Sequence, residues 1–420
     1  EITTRLVGSE MCIRDRWKAV RPFPPFSAIG GWQDNQQKGW LHMRKENNPE
    51  SRHAAPKGGK PVKRHRYKKS VRVTVSILSS LMVVVSVLLM TAGGYVMHAM
   101  NLIVGDEEID GNYVDSLPPD DEDPDVSIDT SFNPSDYDKS EVSKITLRGN
   151  TKDVTNLLLL GIDARTMKER GRSDSMIIVT INKKNKTIKL SSLLRDTAVT
   201  IPGRDKNGDG QDDYAKLNAA YAYGGFNLLS KTIEQNFRLK IDKYVGVNFV
   251  VFPIAVDAMG GIDIYMTAKE ASKVCAPGQK LEDWERGFKK IGTESKVYHL
   301  NGYQALQYSR IRHIDSDFNR TGRQRKVIEQ LIVKAKTMSF GTLNTILNQV
   351  LPQVATNMSG DELMGYALNA GSYANYAIDT SFHLPENGKY KGWTLPGGGA
   401  SLRLTDPVES VKSLHEWIYS

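Results

Sequence analysis

Asn156-Leu157-Leu158-Leu159-Leu160-Gly161-Ile162-Asp163 decides the fold class. The run 156–162 carries no charge and breaks at an aspartate, which is the pattern of a strand covered on both faces and ending at a loop. Beyond it, strand-like and helix-like patterns alternate. Stretches 176–181 and 187–194 flank Asn182-Lys183-Lys184-Asn185-Lys186, a polar hairpin turn. Helical patterns occupy 217–222, 226–237, 301–309 and 320–338, and further strands are expected at 243–250 and 262–266. From 343 onward helical stretches alternate with Gly/Pro turns, the close of the same domain. This alternation argues for an α/β domain.

Ahead of that domain the composition changes twice. The formal net charge is +8, and much of it sits between Arg44 and Arg72. Immediately after, 73–100 has no charged residue and is long enough to cross the ~30 Å hydrocarbon core as a helix. A buried core helix would be shorter and carry a polar stripe, and a cleaved signal peptide would end in a small-residue site. One transmembrane helix is therefore expected at 73–100, with the basic segment 43–72 in the cytoplasm and everything after Met100 outside. Lys57, Lys60, Lys63, Arg64, Arg66, Lys68 and Lys69 abut this span, so they read as a topology signal rather than a nucleic-acid surface, and no nucleic acid is expected as a partner.

Residues 101–150 are acidic and rich in Pro, as in Leu117-Pro118-Pro119-Asp120-Asp121-Glu122-Asp123-Pro124, and read as an extracytoplasmic spacer. Residues 1–42 lack periodicity and resemble translated adapter sequence. They read as a non-native leader, with Met43 as the natural start. The two cysteines, Cys12 and Cys275, give no disulfide framework, and Cys275 reads as a loop residue. No Cys/His spacing suits zinc, so any metal here is expected to be a hard ion held by carboxylates.

Three short groups carry candidate chemistry. Asp163 ends the first strand, and Gly171-Arg172-Ser173-Asp174-Ser175 opens the next, so two aspartates flank one loop. Loops at strand ends are where α/β sheets bind ligands, and paired carboxylates there suit Mg²⁺, which shares its oxygen ligands with phosphate. The plainer reading has Asp163 capping a turn and Asp174 pairing with Arg172. A second group, Arg195-Asp196, closes the return strand of the hairpin and aims at the same rim. The third contains Tyr308-Ser309-Arg310-Ile311-Arg312 and Asp317-Phe318-Asn319-Arg320-Thr321-Gly322-Arg323-Gln324-Arg325. Arg310 and Arg312 share a face if extended, and Arg320 and Gln324 share one if helical. Guanidinium groups bind phosphate oxygens in bidentate fashion and stay charged, which suits a pyrophosphate.

These groups, in this order, resemble the LytR-CpsA-Psr family of cell-wall glycopolymer transferases. The likeness rests on 157–163, 171–175, 193–196, Lys-Leu-Asn-Ala-Ala-Tyr-Ala-Tyr-Gly-Gly at 216–225, Val-Asp-Ala-Met-Gly-Gly-Ile-Asp at 256–263, 299–312 and 319–325. The resemblance implies a three-layer α-β-α domain with a central mixed sheet over 151–420 (motif core 155–338), preceded by the single transmembrane helix. It implies a phosphotransferase that moves an anionic glycopolymer, of teichoic acid or capsular polysaccharide type, from undecaprenyl pyrophosphate to peptidoglycan. By the same resemblance Asp163 and Asp174 hold Mg²⁺, or Mn²⁺ in its place. Arg172, Arg195, Lys216, Arg310, Arg312, Arg320 and Gln324 bind the pyrophosphate, and an apolar cavity under the sheet takes the lipid chain.

The candidate catalytic residues are Arg195, Asp174 and Asp196. Either aspartate could take the acceptor proton, although a metal-bound carboxylate is a poor base and Asp196 has the alternative of orienting Arg195. Two other activities fit the same residues: a non-catalytic polyprenyl-phosphate-binding envelope regulator, or a polyprenyl pyrophosphate hydrolase. Residues 205–213 space their oxygen atoms like a calcium loop, but the twelfth position is Lys216 instead of a bidentate glutamate. An exposed turn is the first reading there, with Ca²⁺ as the alternative. Tyr221 and Tyr223 lie two apart on a helix, so at least one belongs to the core.

Overall fold

The computed structural model describes residues 127–129, 140–164, 171–276, 290–312 and 314–420. The expected leader, basic segment and membrane span, most of the spacer, Cys12 and His313 lie outside these. Among the described residues no helix is long and apolar enough to cross a membrane.

The leucine run forms β1 (Val154–Ile162), followed by β2 (Ser173–Asn182) and β3 (Thr187–Leu193). The lysine-asparagine turn joins β2 to β3 as a hairpin, with Asn185 N–H donating to Asn182 Oδ1 at 2.9 Å. Short strands β4 (Ala198–Thr200) and β5 (Tyr214–Lys216) pair with each other. Helix α1 (Leu217–Phe237) follows, then β6 (Tyr244–Asn248), α2 (Val251–Ala258) and β7 (Ile262–Met266). Next come β8 (Lys296–Leu300), α3 (Gly302–Ser309), α4 (Asp317–Ala335) and α5 (Phe340–Val350). The chain closes with β9 (Ala355–Thr356), α6 (Gly360–Asn369), β10 (Ala377–Leu384), β11 (Tyr390–Thr394), β12 (Ala400–Leu404) and α7 (Pro407–Tyr419).

Six strands make one mixed sheet in the order β10-β3-β2-β1-β6-β9. β1 is antiparallel to β2 and parallel to β6, while β10 runs parallel to β3. Helices cover both faces. On one, Leu158, Leu160 and Ile162 of β1 pack with Ile178 of β2, the α1 residues Phe226, Leu229 and Ile233, and Val411, Leu414 and Ile418 of α7. On the other, Ile177, Val179, Ile181, Ile188 and Leu190 meet Ile328 and Ile332 of α4. The leucine run is thus not buried alike on its two sides. Leu158 and Leu160 are buried, whereas Leu157, Leu159 and Gly161 are only half-buried, because the second face of β1 borders a cavity.

Several expectations hold and several shift. The patterns at 217–222 and 226–237 join as α1, with the backbone leaving helical geometry at Gly224 and Gly225; Gly225 takes φ +62, open to glycine without strain. Tyr221 is buried, and Tyr223 lies half-buried under the guanidinium of Arg204, 3.8 Å from its ring. The tail contains more than helices and turns: β10 supplies an edge of the central sheet, and β11 with β12 form a separate hairpin. Cys275 is not an open loop residue. It is buried, its N–H donating to Gln307 Oε1 at 2.7 Å and its carbonyl accepting from Gln304 Nε2 at 3.0 Å.

The folded body also takes in residues ahead of 151. Val142 is buried in the α1/α7 core, Arg148 stacks over the Tyr419 ring, and Asp129 N–H donates to Gly392 O at 2.7 Å beside β11. Leu158→Ala, in the core, is expected to cost about 2–5 kcal/mol, and Leu159→Ala, on the cavity side, distinctly less. Denaturant unfolding of the two variants measures the difference, and equal losses would contradict this division of the sheet's faces.

Candidate functional site

The site lies where β1 and β6 end and β2 begins. The bulge in the β1–β2 ladder is its first cause: Gly161 pairs with Ser175 and Ile162 with Ser173, so Asp174 is left without a partner across the ladder. A bulge re-aims a side chain out of the pleat, and here it turns Asp174 toward Asp163, the residue just past β1. Asp163 N–H donates to Arg172 O at 2.9 Å, closing the neck of the loop between the strands. Gly171 allows that approach, because a Cβ there would stand 1.8 Å from the Asp163 carbonyl oxygen.

Arg195, only 5 % exposed, is held from two sides. Its Nη1 meets Asp174 Oδ1 at 3.1 Å, and its Nε faces Asp196 Oδ2 at 3.3 Å. Asp196 is 2 % exposed and its other oxygen pairs with Lys216 Nζ at 3.1 Å. The backbone of this corner is fixed by Leu402 N–H donating to Asp196 O and Asn218 N–H donating to Arg195 O. Burial raises the Asp196 carboxyl, and Arg195 and Lys216 pull it back down. Lys216 and Asp196 thus stand behind Arg195 and do not line the cavity, so the structure places them as its support.

Helix α4 brings the third group. Arg320 and Gln324, one turn apart, both line the cavity, as the helical spacing requires. Arg320 is 4 % exposed; its Nη2 pairs with Asp317 Oδ1 at 2.6 Å, and its Nε has no hydrogen-bond partner among the described residues. A buried donor left open at a cavity wall is one that a bound anion would satisfy. Arg323 and Arg325 act otherwise. Arg323 grips Asp315 with both terminal nitrogens at 2.8 and 2.9 Å and donates to Ile311 O at 2.8 Å, which pins the 310–312 segment to α4. Arg325 donates to Thr380 O and to Ser192 Oγ, which ties α4 to the sheet.

Arg310 caps the end of α3 instead of sitting in an extended strand, yet it and Arg312 both reach the cavity wall. Arg172, Asp163, Asp174 and Arg195 complete the mouth. Behind this charged rim lies a cavity of about 390 Å³ whose deeper walls are apolar: Leu159, Ile177, Val247, Phe252, Val327 and Leu331. Pattern reading did not reach Asn248 and Phe249 at the end of β6. The parallel pairing of β6 with β1 puts Asn248 opposite Ile162, at the same rim as Asp163.

Asp163 opens to solvent at the rim but loses hydration on its inner side. That desolvation, with the charge of Asp174, raises its carboxyl above the ordinary 3.8, while Arg310, Arg195 and Arg172 lower it. Two mutually repelling carboxylates suit a hard divalent cation whose remaining ligands are water and phosphate oxygens. Among the described residues no group of three or more His, Cys, Asp or Glu is placed to hold a metal ion. In the 205–213 loop the Asp205 carboxylate already accepts N–H donations from Gly208, Asp209 and Gly210. His299 pairs with Asp263 at 2.7 Å on the exposed face of the β7–β8 hairpin, away from this cavity.

An apolar cavity that ends in arginines and carboxylates is a container for an amphiphile, with a chain inside and an anionic group at the mouth. Comparison with known proteins identifies the family. The family model described as LytR_cpsA_psr matches residues 126–397, and the chain belongs to the LytR_cpsA_psr family. It is similar to the polyisoprenyl-teichoic acid–peptidoglycan teichoic acid transferase TagU of Enterococcus faecalis, 36% identical over 285 residues, 66% of this chain and 83% of that one. It is also similar to biofilm regulatory protein A of Streptococcus mutans, 35% identical over 283 residues, and there the match spans 63% of this chain and 64% of the relative. Among solved structures, protein gbs0355 of Streptococcus agalactiae superposes with a TM-score of 0.52 at 30% identity, covering 63% of this chain and 86% of that one.

A carboxyl whose folded-state pKa is raised costs stability once it ionises. That cost is absent below the unfolded value and complete above the folded one, so it grows as pH rises from 3.8. Asp163→Asn is therefore expected to raise the metal-free melting temperature at about pH 7, by an amount that shrinks as pH falls toward 4. Thermal unfolding over a pH series measures this; a loss, or a gain independent of pH, contradicts the assigned environment of Asp163.

Proposed function

We propose that this chain is a membrane-anchored glycopolymer phosphotransferase that moves an anionic polymer of the teichoic acid class from a polyprenyl pyrophosphate carrier to a peptidoglycan hydroxyl. The observation that carries the reading is one cavity that has both apolar walls and a mouth of Arg172, Arg195, Arg310, Arg312, Arg320 and Gln324. Its two halves match the two halves of a lipid pyrophosphate. Relatives that bear the transferase name supply the polymer class. In this reading the basic segment 43–72 is cytoplasmic, 73–100 spans the membrane, and the domain faces outward.

The reaction needs little covalent chemistry from the protein. The acceptor oxygen attacks the phosphorus that bears the polymer, the bond from that phosphorus to the bridging oxygen breaks, and polyprenyl phosphate leaves. The acceptor proton passes to solvent or to a rim carboxylate. Charge spread over the phosphate oxygens has to be neutralised in place, and fixed guanidinium groups supply that without reorganising. Arg195 is prepared for this by its two carboxylate partners, and Arg320 by its open Nε. Asp163 and Asp174 would hold Mg²⁺, or Mn²⁺ in its place, which would add a second source of positive charge at the phosphate. The apolar walls keep water from the lipid side, and Asp196 with Lys216 keeps Arg195 from rotating.

Incubating the full-length protein with a lipid-pyrophosphate donor and an oligosaccharide acceptor tests the activity. Linked product is expected; free polymer phosphate without linkage would mean a hydrolase, and tight binding without reaction a binding module. Arg310→Ala is expected to lower the transfer rate by about two to three decades, from loss of roughly 2–4 kcal/mol of transition-state stabilisation, with unchanged unfolding. Chelation of divalent ions is expected to stop transfer, and Mg²⁺ or Mn²⁺ to restore it. Transfer that persists in excess chelator contradicts the metal assignment.

A further inference from the structure

We infer that Phe249 is a positioning residue, which holds Arg310 by its ring so that the guanidinium edge faces the phosphate side of the cavity mouth. This rests on the proposed reading of that mouth as a pyrophosphate site. The observation is a contrast among the arginines. Arg195 is fixed by Asp174 and Asp196, and Arg320 by Asp317. Arg310 is exposed, and no carboxylate lies within ion-pair distance of it among the described residues. What it has is an aromatic face, with its Cζ 4.0 Å from the centroid of the Phe249 ring.

An exposed arginine otherwise samples many rotamers, and ordering it on a ligand costs entropy. A ring beneath the guanidinium restricts it by cation–π attraction and leaves its N–H edge unused. A carboxylate, as at Arg195, would fix it too, but would occupy part of that N–H edge. The backbone supports the ring's position. β6 runs parallel to β1 with Asn248 opposite Ile162, so Phe249 follows Asn248 at the level where Asp163 follows Ile162. Buried Asn248 accepts from Val250 N–H at 3.0 Å and Val251 N–H at 2.9 Å, which fixes the turn that carries Phe249. Phe249 itself lines the cavity, at the border between apolar wall and charged rim.

The test is calorimetric titration of the full-length protein with inorganic pyrophosphate at fixed Mg²⁺, with thermal unfolding as the control for folding. Phe249→Leu, which keeps the apolar wall, is expected to weaken binding about two- to fivefold, and Phe249→Trp to match or exceed wild type. In an Arg310→Ala background Phe249→Leu is expected to have no further effect. Wild-type binding by Phe249→Leu, or the same loss with and without Arg310, overturns the inference while leaving the pyrophosphate site in place. Failure of wild type to bind pyrophosphate removes the site reading, and the inference falls with it.

Discussion

Arg195 sits between two carboxylates, and the rest of the site is arranged around that fact. Asp174 reaches it because a bulge frees that residue from the β1–β2 ladder, and Asp196 reaches it from behind with Lys216 as its second partner. Burying such a group is costly unless each charge is paired and hydrogen-bonded, and breaking one pair strands the others. The corner is therefore built from several parts of the chain at once: β12 and the start of α1 hold the backbone of 195–197, and β2 supplies the front carboxylate. A guanidinium held this firmly does not reorganise when charge develops in front of it, and catalysis by electrostatic preorganisation depends on that.

The other arginines divide into two kinds, which a motif cannot separate by composition. Arg320 and Gln324 face the cavity, while Arg323 and Arg325, in the same helix, spend their donors on Asp315, Ile311, Ser192 and Thr380. The structural pair does indirect service. Arg323 fixes the segment carrying Arg310 and Arg312, and Arg325 fixes α4 against the sheet. The charged rim is thus assembled from strand ends and a helix whose relative placement depends on two buried arginines that never touch the cavity.

Much of this was legible in the chain. The leucine run, the hairpin turn and the helical spacing of Arg320 and Gln324 are local patterns, and they put Asp163, Asp174 and Arg195 at strand ends and Arg320 with Gln324 on one helix face, where the structure has them, because period and turn chemistry are local properties. Lys216 and Asp196 read as site residues from their place in the motifs; only the fold shows them behind Arg195. Phe249 carries no motif of its own, and its place follows from β6 lying parallel to β1, a pairing between residues about ninety apart in sequence. The strand β10 was hidden for a related reason: it is a sheet edge with only two of its eight residues buried, and Asp379, Thr380 and Ser381 interrupt its apolar pattern. The uneven burial of β1 could not be read from a run of leucines, since an apolar cavity and an apolar core ask for the same side chains.

In the proposed function one amphiphile spans the cavity and its mouth, chain inside and pyrophosphate on the arginines. A crystal structure of the protein with a short-chain polyprenyl pyrophosphate tests this most directly. Phosphate oxygens are expected within hydrogen-bond distance of Arg195, Arg310 and Arg320, with the chain between β1 and α4 against Leu159, Val327 and Leu331. A headgroup bound away from Arg195 and Arg320, or a chain lying outside the sheet–α4 cavity, would contradict it.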